Sequence, residues 1–168
     1  LAFSLAVGMA SNAAITAQAA EPATNAAAAG ARHCVAQIEP LAARQKVSAT
    51  TERGCFSTFA EAVSAATSGA VSLPATATPD SISDADIVPS AVTLVGIDYD
   101  RRGFGGGSYI WYANTRFGCF GGRSYVANMP GVFNNRLSST RGLGGCGRNT
   151  SYDGTFQRGD WVRCFSSC

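Results

Sequence analysis

The 168-residue chain has little of what most catalytic and metal sites are built from. It holds a single histidine, His33, and no C-x-x-C pair, so a Cys/His zinc site lacks a ligand set. His33 is also the one side chain suited to serve as base for a hydroxyl or thiol nucleophile, and its neighbour is Cys34, a sulfur expected to be held in a disulfide. Charged residues make up only 14%, with one lysine (Lys46), which argues against long solvated helices. The apolar run at the start, Leu1 to Ala10, is too short to cross a bilayer, which takes about 20 residues. Gly105-Gly106-Gly107 is not followed by Lys-Ser/Thr or by a helical pattern, which excludes a phosphate loop. Asp98 and Asp100 form the only close carboxylate pair after residue 90. They flank Tyr99, with Arg101 and Arg102 beside them to neutralise charge, so acid/base work is not expected of them. The chain is therefore read as a non-enzyme.

What is present is unevenly distributed. Residues 1–90 carry four Lys/Arg against seven Asp/Glu, a net −3; residues 91–168 carry nine Arg and four Asp, a net +5. Fifteen of the 19 glycines also fall after residue 90. The composition breaks near Pro89, where a domain boundary is expected. Ahead of it, residues 1–19 read as the apolar core and cleavage region of a secretory signal peptide with an incomplete start, because Ala17-Gln18-Ala19 has the small-x-small pattern. An Ala-rich linker is expected over 20–32, a small α/β unit and possible pro-region over 33–74, and a Thr/Ser/Pro/Asp tether over 75–90. Export, an extracellular location and a monomeric state follow, with no stable membrane insertion. The arginines interleaved with aromatics are read as a solvated basic face, not a nucleic-acid site.

Export also gives meaning to the six cysteines, because an even count in an oxidising compartment favours disulfides. Cys34 pairs most economically with Cys55. Cys119, Cys146, Cys164 and Cys168 allow three connectivities that sequence does not separate; Cys119–Cys146 with Cys164–Cys168 is favoured.

Within 33–74, His33 to Ile38 and Lys46 to Thr50 have strand character. Thr58-Phe59-Ala60-Glu61 fits a capping box opening a helix that places Phe59, Val63 and Ala66 on one face, with Gly69 as its stop. Val71-Ser72-Leu73 before Pro74 reads as a returning strand. After residue 90 the pattern becomes short strands divided by glycine turns: Thr93 to Tyr99, Ser108 to Tyr112 and Arg123 to Ala127. Asn149-Thr150-Ser151 is a formal N-glycosylation sequon.

Two spacings stand out. Tyr99-Asp100-Arg101-Arg102-Gly103-Phe104-Gly105-Gly106 runs aromatic, four residues, aromatic, one residue, glycine. About 30 residues on, Asn134-Asn135-Arg136-Leu137-Ser138-Ser139 runs two amides, two variable residues, two hydroxyls. In this order the pair resembles the Greek-key motif of the βγ-crystallin superfamily with its calcium clamp. The resemblance extends from about Thr93 to Cys168 and is closest to secreted microbial members, including the metalloprotease inhibitors of peptidase-inhibitor family I36. It implies a mainly β fold, a βγ-crystallin-like Greek-key β-sandwich over 91–168 preceded by the α/β unit and signal segment. The second key is incomplete. Tyr152-Asp153-Gly154-Thr155-Phe156-Gln157-Arg158-Gly159 is one residue short in its first spacing, and no second amide-amide-x-x-hydroxyl segment follows, so either a truncated C-terminus or a shortened key closed by Cys164 and Cys168 is expected, truncation being favoured.

The resemblance further implies at most one weak calcium site: the Asn135 side chain, the Arg136 carbonyl and the Ser138 hydroxyl, completed by Asp153 from the opposing key, with Leu137 pointing into the core. Neutral oxygens suit calcium but bind it weakly, and the same residues also serve as turn caps without metal. As partner the resemblance implies a secreted metalloprotease, making the chain an extracellular peptidase inhibitor. The alternatives are an antimicrobial or killer-toxin-like protein and a purely structural, calcium-stabilised one.

Overall fold

A computed structural model of the protein describes residues 33–83, 91–131, 133–165 and 167–168. The expected signal segment and linker, and 84–90 of the tether, lie outside these. The fold is mainly β. Five strands form one mixed sheet in the order β2-β1-β4-β3-β5, and two more form a hairpin, β6-β7. The strands are β1 His33–Ile38, β2 Thr50–Phe56, β3 Thr93–Tyr99, β4 Ser108–Ala113, β5 Ser139–Gly142, β6 Arg148–Gly154 and β7 Arg158–Phe165; the helix α1 is Phe59–Ala66.

The sheet is covered on both faces, and strand alternation divides the side chains between them. From β4, Ile110 and Tyr112 join Val35, Ile97, Tyr99 and the α1 residues Phe59 and Val63 in one cluster. Tyr109, Trp111 and Ala113 join Cys34, Ala36, Ile38 and Phe133 in the other. Every residue of β4 is buried, which explains its aromatics on both faces. In β3 the register slips between Leu94 and Gly96. That bulge lets Leu94 share a face with Ile97 and Tyr99 despite their odd spacing in sequence.

β1 pairs in parallel with β4 and antiparallel with β2. The expected boundary between 33–74 and 91–168 is therefore not a break in the structure: strands from both sides of it alternate in one sheet, and both clusters draw on both segments. Composition changed at Pro89 because the later part is glycine-rich and loop-rich, whereas pairing followed the apolar strands. This also removes the ground for a detachable pro-region, since β1 lies between β2 and β4.

Helix α1 opens as expected. Thr58 Oγ1 accepts from Glu61 N–H at 3.2 Å, and Glu61 Oε2 accepts from Thr58 N–H at 3.1 Å. Its end differs in detail. Ser68 (φ 53°) and Gly69 (φ 80°) both take the left-handed conformation and Gly69 N–H bonds Ser64 O at 2.7 Å, so the reversal spans two residues and includes Gly69. The second strand starts at Thr50 rather than Lys46. Residues 71–73 form no strand; Val71 N–H donates to Thr67 Oγ1 at 3.1 Å and continues the helix cap. Residues 123–127 belong to no sheet, being held to the 41–48 loop by Leu41 N–H to Ser124 O and Ser48 N–H to Val126 O, both 2.8 Å.

The three disulfides are Cys34–Cys55, Cys119–Cys146 and Cys164–Cys168. The first joins directly paired residues of β1 and β2. The third closes the tail, whose Cys168 exchanges both backbone hydrogen bonds with Thr140, 2.9 and 3.0 Å, fastening β7 to the β5 edge.

Candidate functional site

The two motif segments meet. Between β3 and β4 the chain folds back over Asp100 to Gly107. Asp100 N–H bonds Gly107 O at 3.1 Å, and Gly107 N–H bonds Asp100 Oδ1 at 2.8 Å. Gly106 (φ 78°) is needed there, since a Cβ would strike the Asp100 carboxylate. Phe104 is itself left-handed (φ 61°) and sets its ring edge-on to Tyr99, centroids 5.3 Å apart. Ser139 clasps this loop: its buried hydroxyl donates to Arg101 O at 2.7 Å and accepts from Phe104 N–H at 3.1 Å. Ser138 N–H adds a bond to Tyr99 O at 2.8 Å.

The expected calcium ligands are only partly brought together. The Ser138 hydroxyl lies 3.2 Å from Asp100 O and 3.4 Å from Arg136 O, so three neutral oxygens converge. Asn135 sits in the left-handed region (φ 59°). Asp153 lies on β6, where its carboxylate adjoins Gly159; it lines a groove together with Asn135, whereas Arg136 and Ser138 turn to the folded hairpin. The nearest carboxylate to the converging oxygens is instead Asp100, which pairs with the Arg136 guanidinium at 3.0 Å. Among the described residues no group of three or more His, Cys, Asp or Glu is placed to hold a metal. The neutral oxygens gathered there are Arg136 O, Ser138 Oγ and Asp100 O. Leu137 is only half-buried and joins neither core cluster; Phe133 fills the inward role, 5.5 Å from the Tyr109 ring.

Sequence reasoning missed Asp100 and Ser139. Asp100 had been paired with Asp98 and with Arg101 and Arg102, yet its charge partner is Arg136, 36 residues away. The signal for Ser139 was present as the second hydroxyl of the motif. The Asp98 carboxylate is separate, accepting from Trp111 Nε1 at 2.7 Å. Burial pushes it above the usual carboxylate range, opposed by hydrogen bonds from Trp111 and Thr140. His33 Nδ1 lies 2.9 Å from Ser108 Oγ, but these residues are 8% and 0% exposed beneath α1, beyond a substrate's reach.

A groove of about 960 Å³ is lined by residues 123–129 and β6, and also by Val95, Asp98, Trp111, Asn135 and Thr140. Beyond it, the β6-β7 hairpin carries large exposed apolar side chains: Trp161 at 59% and Phe165 at 76%, with Tyr152, Phe156 and Val162. Its tip turns through left-handed Phe156 and Gln157, the geometry of a primed hairpin turn. The cross-strand pairs Tyr152/Trp161, Thr150/Arg163 and Arg148/Phe165 alternate with the pairs containing Ser151 and Asn149, so aromatics and two arginines share one face. Arg163 lies 5.0 Å over the Trp161 ring. Among the described residues no helix is long and apolar enough to cross a membrane. No family model, curated protein or solved structure matches the chain.

Proposed function

We propose that this chain is an extracellular protein that acts by binding, and that the exposed face of the β6-β7 hairpin is its contact surface. The observation that carries the reading is a run of large apolar side chains left in solvent on a hairpin anchored by a disulfide, where a monomer ordinarily exposes little contiguous apolar area. Secretion is supported by the expected signal segment and by three disulfides, which persist in oxidising compartments. A βγ-crystallin relationship is supported by the folded hairpin, its Tyr99–Phe104 contact and the Ser139 clasp. Greek-key pairing of the β6-β7 hairpin belongs to the same proposal.

The specific activity we propose is inhibition of a secreted metalloprotease. The test is titration of the full chain into a thermolysin-like metalloprotease: hydrolysis should fall stoichiometrically, and Trp161→Ala should weaken the effect. Undiminished hydrolysis overturns the inhibitor reading. Growth arrest of microbes by the same preparation favours the antimicrobial alternative, for which the net +5 of residues 91–168 and its attraction to anionic envelopes speak.

A weak calcium site is a second reading, favoured by the convergence of Arg136 O, Ser138 Oγ and Asp100 O. Millimolar calcium should raise the melting temperature by mass action on the folded state. Ser138→Ala should abolish that rise, and Asn135→Asp, by adding a formal charge nearby, should enlarge it. An unchanged melting curve in both parent and Asn135→Asp leaves the segment as a hairpin clasp alone.

A further inference from the structure

Exposed apolar side chains and positive charge are gathered in one part of the molecule. Among the described residues, the large apolar side chains left well exposed belong to two segments only: the β6-β7 hairpin and the 116–123 loop, which adds Phe117 at 49% and Phe120 at 64%. The Cys119–Cys146 disulfide joins that loop to the chain two residues before β6. The two segments, 116–123 and 148–165, together carry five arginines against Asp153 and Asp160, a net +3. Residues 33–83 leave no large apolar side chain well exposed, and their three Lys/Arg against four Asp/Glu give a net −1.

The hairpin is exposed on both sides near its turn. Successive residues of a strand point to opposite faces, and in β7 the neighbours Trp161 and Val162 are 59% and 55% exposed. Every residue from Arg158 to Arg163 is exposed, and Phe156 stands at the turn itself. The pairs Arg148/Phe165, Thr150/Arg163 and Tyr152/Trp161 hold three aromatics, two arginines and no carboxylate. A rigid protein partner covers one face of a strand pair and leaves the other in water. A lipid interface is fluid and closes around a projecting hairpin, so it removes Trp161 and Val162 from water together. Aromatic rings settle at headgroup level, and arginines beside them are drawn to anionic lipid.

We propose that the tip of the β6-β7 hairpin docks on the surface of an anionic lipid bilayer, with Phe156, Trp161 and Val162 entering the headgroup layer and the arginines of the hairpin and the 116–123 loop supplying the attraction. That attraction is the summed charge acting across about 10 Å of salt solution, so Arg123 keeps its bond to Phe120 O at 2.7 Å. Docking is interfacial; among the described residues no helix is long and apolar enough to cross a membrane. The inference rests on the hairpin being the contact surface and is independent of protease inhibition.

The test mixes the full chain at low salt with vesicles of equal parts phosphatidylglycerol and phosphatidylcholine, and with vesicles of phosphatidylcholine alone. Trp161 is the reporter, because the other tryptophan, Trp111, is buried. Anionic vesicles should shift its emission to the blue, and brominated lipid should quench it. Both effects should fade as salt rises or phosphatidylglycerol is left out. Arg158→Glu changes two charge units at an exposed strand end and should weaken partitioning about thirtyfold, a factor of about five for each unit. Lys46→Glu makes the same change outside both segments and should leave partitioning within about twofold. Val162→Ser, on the face opposite Trp161, should weaken it about fourfold.

Absence of partitioning at millimolar anionic lipid, partitioning with unchanged Trp161 emission, or equal losses in Arg158→Glu and Lys46→Glu overturns the proposal. Undiminished partitioning of Val162→Ser and Trp161→Ala overturns it too, and takes the hairpin away as docking element. If vesicles do not bind while Trp161→Ala still weakens inhibition of the metalloprotease, a protein covers the hairpin: the contact-surface reading stands and the lipid proposal falls.

Discussion

Two adjacent serines, Ser138 and Ser139, should differ sharply when each is changed to alanine. The Ser139 hydroxyl is buried and joins the loop at two points, Arg101 O at 2.7 Å and Phe104 N–H at 3.1 Å. Ser139→Ala leaves both groups without a partner in a half-buried loop. At about 1–3 kcal/mol for each buried group left unsatisfied, discounted for partial solvent access, the loss is about 2–4 kcal/mol. Phe104 adds to the sensitivity, because a left-handed non-glycine residue carries a conformational cost of about 1–2 kcal/mol that the clasp helps to hold. With about 4 °C per kcal/mol for a domain of this size, the melting temperature should fall by about 10 °C. Ser138 is exposed, and its hydroxyl touches carbonyls that solvent can also reach, so Ser138→Ala should cost under about 1 kcal/mol. Urea unfolding followed by the fluorescence of buried Trp111 measures both. If the two variants lose equal stability, or if Ser139→Ala loses less, the clasp does not hold the hairpin and the reasoning fails.

Asp98→Asn keeps an acceptor for Trp111 Nε1 while removing the charge. Because burial raises the folded-state pKa above the unfolded value of about 3.9, the folded state holds more protons in between, and wild-type stability should decline as pH rises through that window. The Asn variant should lack this decline and be more stable at neutral pH, read from urea midpoints across the acid range; a parallel pH dependence in both proteins refutes it. A 91–168 fragment, lacking β1 and α1, uncovers Ile97, Tyr99, Ile110 and Tyr112 and should show no cooperative thermal transition; a cooperative melt matching the full chain would restore two independent units. In a glycosylating host, correctly folded protein should carry no glycan at Asn149, whose Nδ2 is buried; an intact mass showing that glycan on a natively disulfide-bonded molecule contradicts the packing of β6. Gly142→Ala should destabilise by about 1–3 kcal/mol in urea titration, because the new methyl meets Cys146 O; an unchanged midpoint would mean that the β5–β6 junction yields freely.

Local features were legible in the residues themselves. Runs of apolar, β-branched and aromatic residues marked β1, β3 and β4, a hydroxyl and a carboxylate three residues apart capped α1, and the glycine cluster marked a folded hairpin between two aromatics. These are decided within a few residues by strand propensity, capping and allowed φ values, so they are readable without tertiary contacts. Where the edge strand began was not readable: β2 is mostly exposed, so it lacks the buried alternation that would mark its limits. Nor was the nature of 123–127, whose strand-like composition ends in a segment outside any sheet, held by one loop.

Tertiary structure alone decided how the segments combine. Parallel pairing of β1 with β4 joins residues about 75 positions apart, and nothing in either strand specifies the other beyond being apolar. The composition break at Pro89 therefore suggested two units where packing made one core. The same holds for charge: Asp100 met Arg136 and not the adjacent arginines, because the folded hairpin turns its carboxylate to the 134–139 segment. The 123–127 segment is the furthest from sequence: the carbonyls of Ser124 and Val126 are taken by Leu41 and Ser48, about 80 positions away, which no local pattern records.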